Sequence, residues 1–334
     1  MSQSSPSGTR QLPSTLRDIS PSLSFDFPGL RVGIAEYNEG PTGVTVFHFQ
    51  ERAFAVVDSR GGAPGSMMTE ALAANFGKFV SAIVFAGGSA YGLEAVSGVT
   101  AALLKSGAAT QRWGEVAIVP AAVVFDFKGR ANTVYPDRDL GFAALDTAQG
   151  GRFLCGARGA GTFVHVGSYF GESFMERSGQ GAAFRAFGPT KLAVFTVVNA
   201  RGVIVDRAGK VVLGNRDPQS GLRSSVATEL RNGRLSNGLV RTNGGLTDST
   251  TLTLVVTNRE LTQPQLQRLA IEAHSSMARA IQPFHTSRDG DTLFAVSTAD
   301  CATNDLDLAD LSVYAAELAW DAVLSCVPTT LPDA

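Results

Sequence analysis

The chain has 334 residues, 44% of them hydrophobic, and its 28 Lys plus Arg stand against 30 Asp plus Glu. That length and apolar fraction suffice for a large buried core, while the balanced charge excludes a basic field that would gather nucleic acid or hold an anionic membrane surface. Small neutral or weakly charged molecules are the expected ligands. Thirty-six glycines point to many tight turns and an α/β architecture rather than a helical bundle. Cys155, Cys301 and Cys326 are odd in number and lack CxxC spacing, so reduced, structural thiols are expected rather than a disulfide framework or a zinc knuckle. Residues 1–24 are polar and rich in Ser and Pro with no apolar core of a signal peptide, and they read as a mobile tail on a cytoplasmic protein. No apolar run approaches the ~20 residues that span a bilayer.

In chain order, the fold is expected to begin near Phe25, with hairpin strands at Arg31 to Glu36, Val44 to Phe49 and Ala53 to Asp58. Helical spacing follows at Met67 to Phe76 and Ala90 to Lys105, around a short buried strand at Ala82 to Phe85. Further strands are predicted at Val116 to Phe125, Thr162 to Val166, Leu192 to Asn199 and Gly202 to Asp206, with helices at Leu140 to Ala148 and Ser220 to Arg231. A polar, glycine-bearing stretch from Asn232 to Ser249 then feeds directly into an alternating run, Thr250 to Thr257, that reads as a buried strand. Thr262 and Gln265 form a capping box for the next helix, with Leu266, Leu269, Ala270, Ala273 and Met277 on one stripe. A strand at Thr292 to Thr298 and a helix from Leu306 to Cys326 close the chain. Helices grouped around runs of strands suit sheets covered by helices.

Few local patterns carry chemistry by themselves. The run GGSAYG at Gly87 to Gly92 lacks the fifth glycine of a serine-hydrolase elbow and the spacing of a dinucleotide fingerprint, so it reads as a tight strand-to-helix turn. CGARGAG at Cys155 to Gly161 reads as turn glycines in the same way. The four histidines, His48, His165, His274 and His285, have no i, i+4 pair and read as structural or surface residues, so no metal site is expected. Asp289 and Asp291, separated by one residue just before a buried strand, face the same way in extended chain and could share a proton or orient an amine or hydroxyl. A polar turn is the alternative for that pair. Thr250 sits where a loop meets a strand, so its hydroxyl could attack the carbonyl of Ser249 and release a threonine with a free α-amine. Such an amine, with an ordinary pKa of about 7.7–8.0, can serve as base for its own hydroxyl. Pattern alone does not separate Thr250 from Ser249 or Thr251.

Longer motifs resolve the choice. FDFPG, EGPTG, GGSAYGLEA, VYPD, GQGAAFR, DRAG, TTLTLVVTN, HSSM and IQPFHTSRDGDTLFAV follow one another between Phe25 and the last helix. In this order they resemble the self-processing aminopeptidases that include L-aminopeptidase/D-esterase, β-peptidyl aminopeptidases and the nylon-oligomer (6-aminohexanoate-oligomer) hydrolases, most of all the last. The resemblance implies a four-layer αββα sandwich of the N-terminal-nucleophile hydrolase type. It implies one catalytic domain, 25–334, cut between Ser249 and Thr250 into fragments 1–249 and 250–334 that stay together. It matches Thr250 to the nucleophile, Asn199 in VVNARG to the oxyanion-hole asparagine, and Asp289 and Asp291 to the pair that orients the nucleophile and its amine.

Three positions depart from the family pattern. Ser249 stands where relatives carry Asn or Gly, Ser168 in VHVGS matches a lysine, and Phe125 matches a tyrosine. Phe125, Ser168 and Tyr91 form the expected substrate pocket. The resemblance further implies a cofactor-free amidase acting on 6-aminohexanoate oligomers or short peptides, assembled as a homo-oligomer such as a tetramer. Competing readings are a β-peptidyl or other aminopeptidase, an acyl transferase like the self-cleaving ornithine acetyltransferases, and a non-catalytic relative that keeps only the fold.

Overall fold

The computed structural model describes residues 21–73, 78–236, 249–302 and 306–328. A nine-stranded sheet dominates it, built from β1 (Leu30–Tyr37), β2 (Thr42–Ser59), β3 (Ser66–Met67), β4 (Lys78–Ala86), β5 (Ala121–Val123), β6 (Gln180–Phe187), β7 (Thr190–Asn199), β8 (Thr250–Arg259) and β9 (Thr292–Cys301). The strand order is β6-β7-β8-β9-β2-β4-β5-β3, with β1 paired to β2. Only the β8–β9 and β4–β5 pairs are parallel. The main helices are α1 (Ala95–Lys105), α2 (Arg138–Asp146), α3 (Gln263–Ser276) and α4 (Leu308–Leu324).

Alternation along β8 divides the core. Leu252, Leu254 and Val256 enter an aromatic cluster with Phe47, Phe85, Phe195 and Phe294, whereas Val255 packs with Leu266 and Leu269 of α3 and Leu311 and Leu318 of α4. Both faces of the strand are therefore buried. Helices α1 and α2 cover a separate cluster on β2 and β4, where Val99, Leu103 and Leu140 meet Val44, Val46, Ala82 and Val84. Phe47 of β2 and Phe195 of β7 have ring centroids 5.1 Å apart, although β8 and β9 lie between their strands in the sheet. The sheet must turn back over its own aromatic core.

Strand β2 makes that turn possible. The two expected strands at 44–49 and 53–58 are one 18-residue strand, whose first half pairs with β1 and whose second half pairs with β9. Its register on β4 shifts between His48 and Ala53, the kind of irregularity that bends a strand. Hydrogen bonding thus links these strands into one nine-stranded sheet.

Other elements follow local chemistry. The capping box at Thr262 is formed, with Thr262 N–H donating to Gln265 Oε1 at 2.9 Å. Asp137, Ser225 and Asp307 cap their helices with side-chain oxygens. The strand expected over 116–125 is only Ala121–Val123, since Pro120 has no N–H to give a ladder. The helix expected over 220–231 is Val226–Arg231, because Asp217 instead accepts the Gln219 and Ser220 N–H groups in a turn. Of the helix expected over 67–76, Thr69–Ala73 is helical and 74–76 lie outside the described residues; the strand over 162–166 is His165–Val166 and the strand over 202–206 is Val203–Val205. Strand β6, with its Gly-Ala-Ala run, had no strand signature of its own. Ser22–Ser24 pairs with Arg152–Leu154, so the fold takes up the chain just before Phe25; the rest of the expected tail lies outside the described residues, as do 237–248 of the polar stretch before Thr250. All three cysteines are buried. No described helix is long and apolar enough to cross a membrane.

Phe195 touches Phe25, Phe47 and Phe153 within the core that joins the two halves of the sheet. Phe195→Ala should cost about 3–5 kcal/mol, read as a lowered urea midpoint; a loss below ~1 kcal/mol would show that the sheet halves are held together elsewhere.

Candidate active site

The parallel pairing of β8 with β9 sets the geometry at the start of β8. Ser249 forms an isolated parallel bridge with Asp289, and its carbonyl oxygen accepts the Gly290 N–H at 2.9 Å. The Thr250 hydroxyl donates to the same oxygen at 2.6 Å. Both Ser249 and Thr250 are buried. The next residue differs: the Thr251 hydroxyl, on the opposite face of the strand, has no hydrogen-bond partner among the described residues. A methyl group on Gly290 would lie 2.7 Å from Thr250 Oγ1, so this glycine lets the 289–291 turn close against the threonine.

Asn199 ends β7 directly opposite Thr250 in the sheet register. Its Oδ1 accepts the His165 N–H and its Nδ2 donates to the Phe125 carbonyl, both at 3.0 Å. That uses one of the two Nδ2 hydrogens and fixes the plane of the amide.

The two acids are held differently. Asp291 Oδ1 accepts the Thr251 N–H at 2.7 Å, and Oδ2 accepts the His285 N–H at 3.0 Å and lies 3.0 Å from His285 Nδ1. Asp289 Oδ2 accepts the Thr286 N–H at 2.8 Å, while Oδ1 is buried with no partner among the described residues. Burial first, then the neighbouring charge of Asp291, pushes the Asp289 carboxyl up to about 6. Backbone carbonyls of both acids receive N–H groups from residues 60, 61 and 63, which brace the turn from β2.

Behind Asp291 lies a pair of imidazoles that sequence reasoning had set aside as structural or surface residues. The His285 and His274 rings stand 4.3 Å apart, and His274 Nδ1 is 2.9 Å from Asp58 Oδ2. Burial is the main cause that lowers the His274 pKa. A line of buried and half-buried polar side chains therefore runs Asp58, His274, His285, Asp291 to the amide of Thr251, with a ring contact between the two imidazoles. Spacing offered no sign of it, since the two histidines lie on either side of the end of α3.

On the other flank, Phe125 contributes its carbonyl to Asn199 and its ring to Phe127, 5.6 Å away. Ser168 is buried, and its Oγ receives Lys128 Nζ at 3.3 Å. A lysine thus reaches this point from a different segment, which the aligned motif did not reveal. Burial, then Arg177 and Lys128, lower His165 to about 4. Asp126 anchors this flank by accepting the Thr42 hydroxyl, the Gly88 N–H and an Arg130 guanidinium hydrogen. Gly88 has φ +76°, in keeping with the expected tight turn.

A cavity of about 310 Å³ opens beside Asp289, lined by Tyr169, Arg201, Ser236, Thr286, Ser287 and Arg288 among others. None of the three expected pocket residues lines it. Tyr91 is 68% exposed and meets Phe127 edge-to-face at 6.4 Å and Tyr135 at a tilt at 5.7 Å.

The sequence profile of peptidase family S58 matches residues 24–331. The chain is 42% identical over 312 residues to a 6-aminohexanoate-oligomer endohydrolase of Paenarthrobacter ureafaciens, covering 90% of this chain and 85% of that protein. Among solved structures it is similar to the PH0078 protein of Pyrococcus horikoshii OT3 (TM-score 0.63, 20% identity, 89% of this chain and 84% of that one). It is also similar to the L-aminopeptidase D-Ala-esterase/amidase of Ochrobactrum anthropi, a variant of the Ntn-hydrolase fold (TM-score 0.59, 17% identity, 89% and 83%). These likenesses, together with the mixed sheet and its helices, make the fold α/β and Ntn-hydrolase-like.

Because the folded pKa of Asp289 is raised, the fold favours its neutral form, and that contribution is lost as pH rises from the ordinary carboxylate value of 3.8 through about 6. Asp289→Asn should therefore be more stable than the parent by roughly 1–3 kcal/mol at pH 8 and little different at pH 3.5. Thermal unfolding at both pH values checks this; a variant less stable at pH 8 would mean that the ionised carboxylate is a net stabiliser.

Proposed function

The chain belongs to peptidase family S58 and is a hydrolase of amide or peptide bonds, and from that premise we propose that it cuts itself before Thr250 and then uses Thr250 as an N-terminal nucleophile. The observation that carries this reading is the Ser249 carbonyl, touched by the Thr250 hydroxyl and polarised by the Gly290 N–H. In self-cleavage, Thr250 Oγ1 adds to the Ser249 carbonyl carbon, with negative charge collecting on the oxygen that Gly290 holds. The C–N bond to Thr250 breaks as the hydroxyl proton passes to the nitrogen, leaving an ester. Water then hydrolyses the ester, which yields a Ser249 carboxylate, restores the hydroxyl and frees the α-amine.

In turnover the α-amine accepts the Thr250 hydroxyl proton as the oxygen attacks a substrate carbonyl. The remaining Nδ2 hydrogen of Asn199, opposite Thr250 in register, meets the oxyanion. The amine product leaves with the proton, and water opens the Thr250 ester. Asp291 holds the start of β8 through the Thr251 N–H, and the two carboxylates raise the pKa of the ammonium by favouring its charge. Activity should therefore rise with pH as the amine deprotonates.

The substrate choice rests on the relative at 42% identity. Linear 6-aminohexanoate oligomers come first, and short peptides with small or β-amino N-terminal residues second. The four-layer αββα arrangement belongs to the same reading, supported by the aromatic core between the sheet halves and the helix-covered clusters outside them.

Thr250→Ala should remain one chain on a denaturing gel and release no amine from 6-aminohexanoate oligomers, whereas Thr251→Ala should be cut; the reverse pattern would move the nucleophile by one residue. Gly290→Ala should be cut more slowly, since its methyl displaces the Thr250 hydroxyl. In protein already cut, Asn199→Ala should lose about 10²- to 10³-fold in turnover with a smaller change in KM. Unchanged turnover would remove Asn199 from the oxyanion site.

A further inference from the structure

We propose that His285 is a positioning residue for the hydrolysis at Thr250: its ring and its own backbone hold one oxygen of Asp291, so that the other oxygen fixes the start of β8. The inference rests on the Thr250 reading and adds a residue to it. The His285 N–H donates to Asp291 Oδ2 at 3.0 Å, and His285 Nδ1 lies 3.0 Å from the same oxygen. Asp291 Oδ1 accepts the Thr251 N–H at 2.7 Å. One residue therefore grips one oxygen twice, and the carboxylate cannot turn away from β8 without breaking both contacts.

The backbone of His285 is unusual at this grip. Its φ is +56°, in the left-handed region that residues with side chains rarely adopt, a conformation that persists where the surroundings over-determine it. Those surroundings are rings. The Phe284 and His285 centroids are 3.8 Å apart with the planes tilted by 30°, and the His274 ring stands 4.3 Å from His285, nearly perpendicular to it. His274 is fixed in turn by Asp58, its Nδ1 lying 2.9 Å from Oδ2. Two residues along the chain from Asp58, the Arg60 N–H donates to the Asp291 carbonyl at 3.1 Å. The contacts thus close a circuit that starts at the Asp291 carboxylate and ends at its main chain.

Two proton arrangements suit the contact between Asp291 and His285 Nδ1: an ionised carboxylate accepting Nδ1–H, or a protonated one donating to a bare Nδ1. The first fits, because Asp291 already accepts the Thr251 and His285 N–H groups, and such donors favour the charged carboxylate. Nε2 of His285 is buried with no partner among the described residues, so Nδ1 is the ring nitrogen at which a proton gains a hydrogen bond. Asp289, whose Oδ1 is buried and likewise without a partner among the described residues, is the acid that burial and the Asp291 charge push toward the neutral form. The charge of the acid pair therefore stays on the carboxylate that His285 holds.

The test uses His285→Gly and His285→Asn. Glycine takes φ +56° freely and keeps the backbone N–H while removing the ring; asparagine also enters the left-handed region and carries an amide donor. In the glycine variant, kcat of the cut protein on a linear 6-aminohexanoate trimer should fall about 10- to 100-fold with KM little changed. Self-cleavage should slow as well, while the thermal midpoint should change little. The asparagine variant should recover most of the lost kcat. Nitrogen NMR of wild-type protein isotope-labelled at its four histidines, with His285 assigned by the signals missing from the asparagine variant, should show a proton on His285 Nδ1. An unchanged kcat in the glycine variant, or His285 protonated on Nε2 alone, would overturn the inference and leave Thr250 standing. Equal losses in both variants with lowered midpoints would also overturn it, since His285 would then serve packing only. A wild type that stays one chain would instead sink the Thr250 reading, and this inference with it.

Discussion

The Ser249 carbonyl is held from two directions, by the Gly290 N–H across the first step of the β8–β9 pairing and by the hydroxyl of the residue that follows it. This small arrangement requires much of the fold. Parallel pairing of β8 with β9 brings Asp289 to Asp291 beside residues 249–251, and only a glycine at 290 leaves room for the Thr250 side chain. Antiparallel pairing of β7 with β8 puts Asn199 on the other side of Thr250. The strand that begins at Thr250 is thus interior to the sheet, with both of its faces buried, so its first residue is placed by the core rather than by a loop.

Burial also sets the electrostatics. Water is kept from Asp289 and Asp291, which raises the first toward 6 and leaves the second hydrogen-bonded to the chain on both oxygens. One carboxyl is tuned by desolvation and its neighbour is fixed by donors, so two adjacent acids of the same type have different environments. The imidazoles of His285 and His274 extend that polar line toward Asp58 in place of apolar packing. Cations stand on both flanks, Lys128 at Ser168 and Arg201 at the cavity. Acids therefore stand at the strand junction and basic side chains around it.

What the sequence made legible was local. The alternation of Thr250 to Thr257, the capping box at Thr262 and the stripes of α3 and α4 depend on neighbours within a few residues, and these elements stand near their expected bounds. The long motifs named the residues now found around the junction, although their roles remain the proposal above. Less legible were features made by distant contacts. The continuity of β2 depends on an irregular register against β4, not on a residue pattern. Lys128 reaches Ser168 across 40 residues, and His274 reaches Asp58 across 216. Tyr91 was read from its motif, which carries no sign of its 68% exposure.

The central claim is the identity of the bond that breaks. Intact mass measurement with N-terminal sequencing of the purified wild-type protein under denaturing conditions tests it most directly. The account predicts two chains, residues 1–249 and a second that begins at Thr250. A single 334-residue chain, or a second chain beginning at any other residue, would contradict it.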